Sequence, residues 1–170
     1  AIGRDVTGGS VVANLAKMPH LLIAGATGSG KSVSIHAFMV SLLFKNTPDT
    51  LRLILIDPKR VELSIYNDIP HLISPVITDG KRAIMSLKWA VQEMEHRYEK
   101  LLEVKARDID TYNQKMAAQK GEFMPFIVIV IDELADLMAS FGKVVEAYVV
   151  RLAQMSRAVG IHLVVSTQRP

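Results

Sequence analysis

The sequence predicts an α/β fold in which a mainly parallel β-sheet is flanked by helices. Short apolar runs alternate along the chain with longer segments in which apolar residues recur every three or four positions. Runs that are apolar throughout, rather than at every second position, are typical of strands covered on both faces. A glycine-rich segment joins the first apolar run to the first helical segment. Together these observations predict a single α/β domain.

Four apolar runs are predicted to form the sheet, and each ends in a polar residue or a glycine. They are Leu21–Ala24, Leu51–Ile56, Phe126–Ile131 and residues 162–166, with residues 76–78 as a weaker fifth candidate. Ahead of them, residues 2–6 and 10–15 alternate around Gly8 and Gly9, which predicts a short β-hairpin. We therefore expect a hairpin lead-in over residues 1–18 and the core of the domain over residues 19–170.

Three segments have helical periodicity: residues 31–44, 80–105 and 144–159. The second is the strongest, because its apolar residues form one stripe, namely Ile84, Leu87, Val91, Met94, Tyr98 and Leu101. The pairs Glu93 with Arg97 and Glu103 with Arg107 are expected to support its outer face through i,i+4 attraction. Gly160 is a suitable C-terminal stop for the third helix.

Composition excludes several classes of protein. The chain has 170 residues, of which 49% are hydrophobic and 22% charged, so it is core-forming and not disordered. Its longest apolar stretch, Phe126–Ile131, is far shorter than the roughly 20 residues that span a bilayer. The absence of cysteine excludes disulfides, thiolate metal sites and cysteine nucleophiles. A net charge of +3 permits a polyanionic partner without requiring one.

Residues 25–32 read Gly-Ala-Thr-Gly-Ser-Gly-Lys-Ser and fit the phosphate-loop pattern G-x-x-x-x-G-K-[ST]. A predicted strand precedes them and a predicted helix follows, which is the context that phosphate binding requires. Glycines let the backbone N–H groups approach phosphate oxygens, and the helix N-terminus adds a favourable dipole. We expect Lys31 to reach the β- and γ-phosphates and Ser32 to bind Mg²⁺. The predicted nucleotide-binding residues are Gly25, Ala26, Thr27, Gly28, Ser29, Gly30, Lys31, Ser32 and Val33.

An acidic pair, Asp132 and Glu133, ends the most apolar strand. Two adjacent carboxylates at a strand end point in different directions, so one can hold a metal while the other orients and deprotonates water. We assign these roles to Asp132 and Glu133 respectively, with Asp57 as a rival magnesium ligand. A water-activating glutamate favours hydrolysis over phosphoryl transfer to a second substrate.

The end of the last predicted strand carries Thr167 and Gln168, which could contact the γ-phosphate or the attacking water. A plain turn at the strand end is the alternative. Arg151, Arg157 and Arg169 could each stabilise transition-state charge, including in trans from a neighbouring subunit. Their spacing alone fits solvated helix or loop arginines better. The chain ends at Pro170 directly after a strand. We therefore expect it to be a fragment of a longer protein.

Beyond the phosphate loop, several longer segments carry a family resemblance. They are residues 18–32, 56–59, 61–63, 69–72, 131–138, 156–162 and 167–170, which read MPHLLIAGATGSGKS, IDPK, VEL, IPHL, IDELADLM, SRAVGIH and TQRP. In this order and over essentially the whole chain, they resemble the motor domain of the FtsK/SpoIIIE double-stranded DNA translocases.

The resemblance implies a RecA-like P-loop ATPase core, with the last strand lying between the phosphate-loop strand and the acidic-pair strand. It implies ATP and Mg²⁺ as cofactors, Glu133 as catalytic base and Gln168 as sensor. It further implies that Arg157 is an arginine finger acting in trans and that Arg169 faces DNA. Members of the family assemble as hexameric rings around duplex DNA and pump it during chromosome segregation or sporulation.

The sequence also departs from the family in ways that limit the expectation. Residues 112–125 form a shorter stretch than in many members. The membrane-spanning region and the sequence-reading winged-helix domain typical of the family lie outside this chain. We therefore expect a cytoplasmic domain of a bacterial inner-membrane-anchored protein, with no membrane contact from this segment itself.

Three functions compete. The first is an ATP-driven pump for double-stranded DNA. The second is a related protein-secretion or conjugation motor, which the TQRP ending and the IDPK segment disfavour. The third is a nucleotide-switched assembly module with little turnover, which would oligomerise with ATP without DNA-stimulated hydrolysis.

Overall fold

The computed structural model describes residues 3–26 and 28–168, and these form the predicted α/β architecture. The elements in chain order are β1 (Gly3–Arg4), β2 (Ser10–Val11), β3 (Leu21–Ala24), α1 (Lys31–Leu43), β4 (Leu51–Ile56), a 3₁₀-helix (Ser64–Tyr66), α2 (Gly80–Glu103), α3 (Ile109–Gln119), β5 (Phe126–Ile131), α4 (Leu134–Met155) and β6 (Ile161–Thr167). Thr27 and Arg169, both predicted site residues, lie outside the described residues.

The central sheet has four parallel strands in the order β3-β6-β5-β4. In register, Ile131 of β5 lies beside Ile56 of β4 on one side and Val165 of β6 on the other. The last strand therefore separates the phosphate-loop strand from the acidic-pair strand, as the family resemblance implies. Because all four strands run the same way, their carboxyl ends meet at one edge of the sheet, where ligands bind in such folds.

Both faces of the sheet are covered at β4, β5 and β6, which explains why these strands are not alternating in sequence. At the edge strand β3 the prediction of cover on both faces is wrong, because Leu22 is 59% exposed. On one face, Ile127, Ile129 and Ile131 of β5 pack with α2, α3 and α4. On the other, Val128 and Val130 pack with α1 and the 3₁₀-helix. Burying a branched aliphatic side chain of this kind contributes about 1.5–3 kcal/mol, so both faces stabilise the sheet.

Some boundaries differ from the prediction. Strand β6 extends one residue beyond 162–166 at each end, whereas residues 76–78 contribute only a single bridge, between Ile77 and Ile56. The described part of the hairpin pairs only Gly3–Arg4 with Ser10–Val11. The Asp5 carboxylate accepts the backbone N–H groups of Thr7 and Gly9, and this side-chain-held turn replaces further strand pairing.

Helices α1 and α2 lie where they are predicted, but α4 begins at Leu134, ten residues before the predicted 144. Phe141 has φ −140° and ψ 26°, so two helical segments are joined there across a kink. The kink interrupts the periodic apolar pattern, and for this reason the sequence predicts only the second segment.

Helix α3 was not predicted at all. Its N-cap is Asp108, whose carboxylate accepts hydrogen bonds from the backbone N–H and the hydroxyl of Thr111 at 2.8 and 2.6 Å. A polar residue, Asn113, occupies its buried face and pairs with both backbone groups of Met124. Because a buried asparagine breaks the apolar stripe, the segment lacks the periodicity of an amphipathic helix.

The prediction that Arg97 lies on the outer face of α2 is wrong. Its side chain is 3% exposed and donates to Glu93 at 2.8 Å and to the carbonyl oxygens of Pro125 and Val159 at 2.8 and 2.9 Å. The predicted i,i+4 pair of Arg97 with Glu93 does form, whereas the second predicted pair does not, because α2 ends at Glu103 and Arg107 instead contacts Asp108. Arg97 thus ties α2 to the loops before β5 and β6.

The longest helices, α2 and α4, have 24 and 22 residues. Within residues 3–26 and 28–168, no helix combines the length and the hydropathy needed to cross a bilayer.

Candidate nucleotide-binding and catalytic site

The phosphate loop connects β3 to α1 at the carboxyl edge of the sheet. Gly28 and Gly30 have φ values of 80° and 90°, a left-handed conformation that residues with a Cβ rarely adopt. The N–H of Gly25 donates to the carbonyl of Thr167 at 3.2 Å, which fastens the start of the loop to the end of β6. Lys31 is the first residue of α1, so its backbone lies at the positive end of the helix dipole.

The acidic pair directly follows β5 and lies against the phosphate loop. Asp132 and Glu133 are both 3% exposed. The Nζ of Lys31 lies 3.2 Å from Oδ1 of Asp132 and 3.5 Å from Oε2 of Glu133. Ser166 on β6 also donates to Asp132, at 3.2 Å. The structure therefore brings together residues that are a hundred positions apart in sequence, as the motifs predict.

Glu133 has an unusual backbone conformation, with φ 61° and ψ 73°. A non-glycine residue in this left-handed region costs about 1–3 kcal/mol, and such residues cluster at functional sites. Here the Glu133 carboxylate contacts the end of β6, where it accepts hydrogen bonds from the Thr167 hydroxyl at 3.0 Å and the Gln168 N–H at 3.2 Å. The two carboxylates of the acidic pair therefore have different partners on β6 and just after it. Asp132 is bonded to Ser166, and Glu133 is bonded to Thr167 and Gln168.

The surroundings of Glu133 favour its ionised form. Burial alone would raise the pKa of this carboxyl. The hydrogen bonds from Gln168 and Thr167, together with the ammonium groups of Lys31 and Lys59, outweigh burial and hold the pKa below its ordinary value. Glu133 is consequently a carboxylate at neutral pH and can accept a proton.

A cleft of about 440 Å³ lies between these elements. It is lined by Ala26, Gly28, Gly30, Lys31, Ser32, Val33, Lys59, Val61, Glu62, Asp132 and Gln168. Six of the predicted nucleotide-binding residues share this cleft with Asp132 and Gln168, whereas Gly25 and Ser29 do not line it; the six are Ala26, Gly28, Gly30, Lys31, Ser32 and Val33. A hydroxyl and a carboxylate facing one cleft are oxygen ligands that Mg²⁺ accepts, so Ser32 and Asp132 fit a magnesium site.

Two lining residues, Lys59 and Glu62, were not predicted as site residues. They belong to the segment after β4, residues 57–63. The Nζ of Lys59 lies 3.9 Å from Glu133 and 3.4 Å from Asp136, and Oε1 of Glu62 accepts the Ser32 hydroxyl at 2.6 Å. Their position after a strand adjacent to β5 is the signal that could have identified them, since parallel strands end at a common edge.

Asp57, the rival magnesium ligand, occupies a different position. Its side chain is fully buried, and its Oδ2 accepts the backbone N–H groups of Glu62 and Leu63 at 3.0 Å each. It does not line the cleft. The carboxylate instead holds the returning end of segment 57–63, which favours Asp132 over Asp57 as the metal ligand.

The two candidate arginines within the described residues, Arg151 and Arg157, do not line the cleft. Arg157 is exposed in the turn between α4 and β6, at the amino edge of the sheet and so opposite the phosphate loop. Arg151 projects from α4 and pairs with Glu95 of α2. Within one copy of the chain, neither arginine reaches the acidic pair, so Arg157 could act on a nucleotide only from a second copy.

Comparison with known proteins identifies the family. A model of the FtsK/SpoIIIE family matches residues 1–170. The chain belongs to the FtsK/SpoIIIE family. It is 59% identical over its full length to a protein named DNA translocase FtsK from Campylobacter jejuni, and 56% identical to one of that name from Clostridium tetani. It spans only 18% and 23% of the lengths of these two relatives.

Solved structures agree with this membership of the FtsK/SpoIIIE family. The monomer form of the pCW3 conjugation coupling protein TcpA with ATPγS matches the whole chain at 34% identity and a TM-score of 0.83, and the match covers 48% of that chain. The cytoplasmic domain of the Thermomonospora curvata type VII secretion ATPase EccC matches 99% of the chain at 24% identity and a TM-score of 0.81, over 21% of its own length. The architecture is therefore that of a P-loop ATPase motor domain.

Proposed function

We propose that this chain is the ATP-hydrolysing part of a motor that moves double-stranded DNA. The observation that carries the proposal is the position of the Glu133 carboxylate, which is buried 3.5 Å from the Nζ of Lys31, a residue of the phosphate-loop cleft, and is bonded to the end of β6. Membership of a family whose relatives are named DNA translocases supports DNA as the substrate that is moved.

In this proposal, each residue of the cleft has a separate task. The backbone N–H groups of the phosphate loop and the ammonium of Lys31 bind the phosphates, and Ser32 and Asp132 hold Mg²⁺. When bound, Mg²⁺ neutralises charge on the phosphates. Glu133 orients a water molecule and accepts its proton as the water oxygen bonds to the γ-phosphorus, while the bond from that phosphorus to the β–γ bridging oxygen breaks and ADP leaves.

Gln168 would report the nucleotide state from the end of β6. Gln168 lines the cleft, and its backbone N–H is bonded to Glu133. A change at the phosphates would therefore alter the position of Gln168 and of the residues that follow it. Arg169, one residue further, is our candidate for contacting the DNA backbone. Such contacts are electrostatic and weaken steeply with salt.

Arg157 would act in trans within a ring of identical subunits, for which we propose six. Its exposure at the edge opposite the cleft is what a residue offered to a neighbouring copy requires. We further propose that the complete protein is anchored in a bacterial inner membrane and that this domain works in the cytoplasm, in chromosome partition during the cell cycle.

The decisive experiment is steady-state ATP hydrolysis with and without long linear duplex DNA at low salt. We expect DNA to stimulate the parent chain several-fold, and Glu133→Gln to reduce turnover at least about 100-fold while ATP remains bound. Glu103→Gln, an exposed glutamate at the end of α2, is the matched control and should keep the parent rate. Hydrolysis by Glu133→Gln at the parent rate would refute the base assignment.

A conjugation or secretion motor is the second candidate, favoured by the 34% identity to a conjugation coupling protein. Stronger stimulation by a polypeptide than by duplex DNA would support it over a DNA pump. Turnover that neither partner stimulates calls for the same assay on a chain extended past Pro170. If the extended chain oligomerises with ATP and its turnover stays flat, it is a nucleotide-switched module.

A further inference from the structure

Glu62 makes a close contact with the phosphate loop that none of the roles described above uses. The Ser32 hydroxyl donates to its Oε1 at 2.6 Å, a short hydrogen bond of the kind made to an ionised acceptor. Glu62 also lines the cleft, with 26% of its side chain exposed. The residue whose hydroxyl is expected to bind Mg²⁺ is therefore bonded to a carboxylate other than that of Asp132.

The surrounding elements hold Glu62 in this position from both sides. Behind it, the buried Asp57 accepts the backbone N–H groups of Glu62 and Leu63, and Leu63 is fully buried in the core. In front, its Oε2 lies 3.5 Å from Nε2 of His36, which is one helical turn beyond Ser32 on α1. The carboxylate thus bridges two residues on the same face of α1.

The hydrogen bond fixes the direction of the Ser32 hydroxyl. A hydroxyl has one hydrogen and two lone pairs, so donating the hydrogen to Glu62 leaves the lone pairs as the available acceptors. A ligand that donates a hydrogen bond to a carboxylate is also more basic toward a metal, as second-shell carboxylates show elsewhere. At the same time, the charge of Glu62 in the cleft disfavours phosphates that arrive without a cation.

We propose that Glu62 is a positioning residue that orients Ser32 for Mg²⁺ and makes tight nucleotide binding depend on the metal. This inference rests on the proposed function only in requiring that the cleft binds a magnesium nucleotide. It does not depend on DNA, on ring assembly or on Glu133.

The test measures binding and not turnover. The affinity of the full chain for ATPγS is measured by calorimetry, once in Mg²⁺ and once in EDTA. The dissociation constant in EDTA divided by that in Mg²⁺ gives the metal dependence. We expect Glu62→Ala to reduce this ratio about tenfold, because affinity falls in Mg²⁺ and stays equal or improves in EDTA. Glu62→Gln should lose less, since its carbonyl oxygen can still accept the Ser32 hydroxyl.

Three controls separate the possible outcomes. Ser32→Ala should reduce the ratio at least as much as Glu62→Ala, while Glu103→Gln should leave it unchanged. Melting temperatures without nucleotide identify a variant that has lost its fold, and the nearly isosteric Glu62→Gln then carries the test. If both Glu62 variants keep the ratio of the parent chain while Ser32→Ala reduces it, the positioning role of Glu62 is overturned and the proposed function is not affected. A parent chain that binds ATPγS equally well in EDTA overturns the magnesium site of the proposed function as well.

Discussion

The Thr167 hydroxyl donates a 3.0 Å hydrogen bond to Oε1 of Glu133 and so joins the end of β6 to the proposed catalytic base. The two residues are 34 positions apart, and Glu133 lies just after β5, the strand that pairs with β6. Since Thr167 is also bonded through its carbonyl to the N–H of Gly25, one residue contacts both the phosphate loop and the proposed base. The geometry of Glu133 therefore depends on β6 as much as on its own strand.

Replacing Thr167 by valine should slow hydrolysis without weakening nucleotide binding. Valine keeps the shape but removes a hydrogen bond to a charged group, which contributes about 1.5–3 kcal/mol. If that bond positions Glu133, the rate falls roughly tenfold or more. Thr167→Ser retains the hydroxyl and is the matched control. Parent turnover in Thr167→Val, measured at saturating ATP, would show that Gln168 and the two lysines suffice to place the carboxylate.

Replacing Lys31 by alanine should weaken ATP binding by at least about tenfold. The substitution removes the cation that lies 3.2 Å from Asp132 and 3.5 Å from Glu133, leaving two buried carboxylates with less compensation where phosphates must bind. Lys45→Ala, an exposed lysine just beyond the other end of α1, is the control. Equal ATPγS affinities for the two variants would contradict the phosphate-binding role of Lys31.

Replacing Arg97 by methionine should destabilise the fold by about 3 kcal/mol. The change leaves the carbonyls of Pro125 and Val159 without their buried donor and removes the partner of Glu93. Urea denaturation followed by circular dichroism measures the difference. Arg107→Met, at a position 88% exposed, should change stability by less than about 0.5 kcal/mol. A similar small effect at both positions would mean that water replaces the lost bonds.

His162 should make the stability of the protein fall as the pH decreases. Burial, together with the nearby His20, Arg157 and Arg97, lowers the pKa of its ring to about 4, against the opposing effect of the Pro19 carbonyl that its Nδ1 contacts. The folded chain resists a proton that the unfolded chain takes up near pH 6.5. The contribution of His162 to the free energy of unfolding is therefore fully present above pH 6.5. It is lost as the pH falls to about 4, by an amount on the order of 3 kcal/mol.

The variant His162→Gln tests this dependence, because it can still donate to Pro19 but cannot be protonated. Denaturation curves at pH 7.5, 6 and 5 give the free energy of unfolding at each pH. This free energy should fall less between pH 7.5 and pH 5 in His162→Gln than in the parent. His96→Gln, at an exposed position on α2, is the control and should keep the parent slope. An unchanged slope in His162→Gln would assign the pH dependence to other groups, His20 first among them, since burial lowers its pKa too.

Much of the fold could be predicted because its signals are local. The phosphate loop is a contiguous pattern, and the apolar runs at β4 and β5 are long enough to mark buried strands. Helix α3 was not predicted because the buried Asn113 interrupts its apolar periodicity. The first half of α4 was not predicted because the kink at Phe141 interrupts the periodicity of that helix. Arg97 was misplaced for a related reason, since a charged residue is normally expected on the exposed face.

The sequence by itself determined the phosphate loop, the acidic pair and the α/β class, because each is specified by residues that are neighbours along the chain. Only the tertiary structure decided which side chains meet across the cleft. The contacts of Glu62 with Ser32 and of Lys59 with Glu133 join residues from different strands and helices. Their distances follow from strand order, register and the left-handed backbone of Glu133, all of which arise from packing of the whole sheet and not from local sequence.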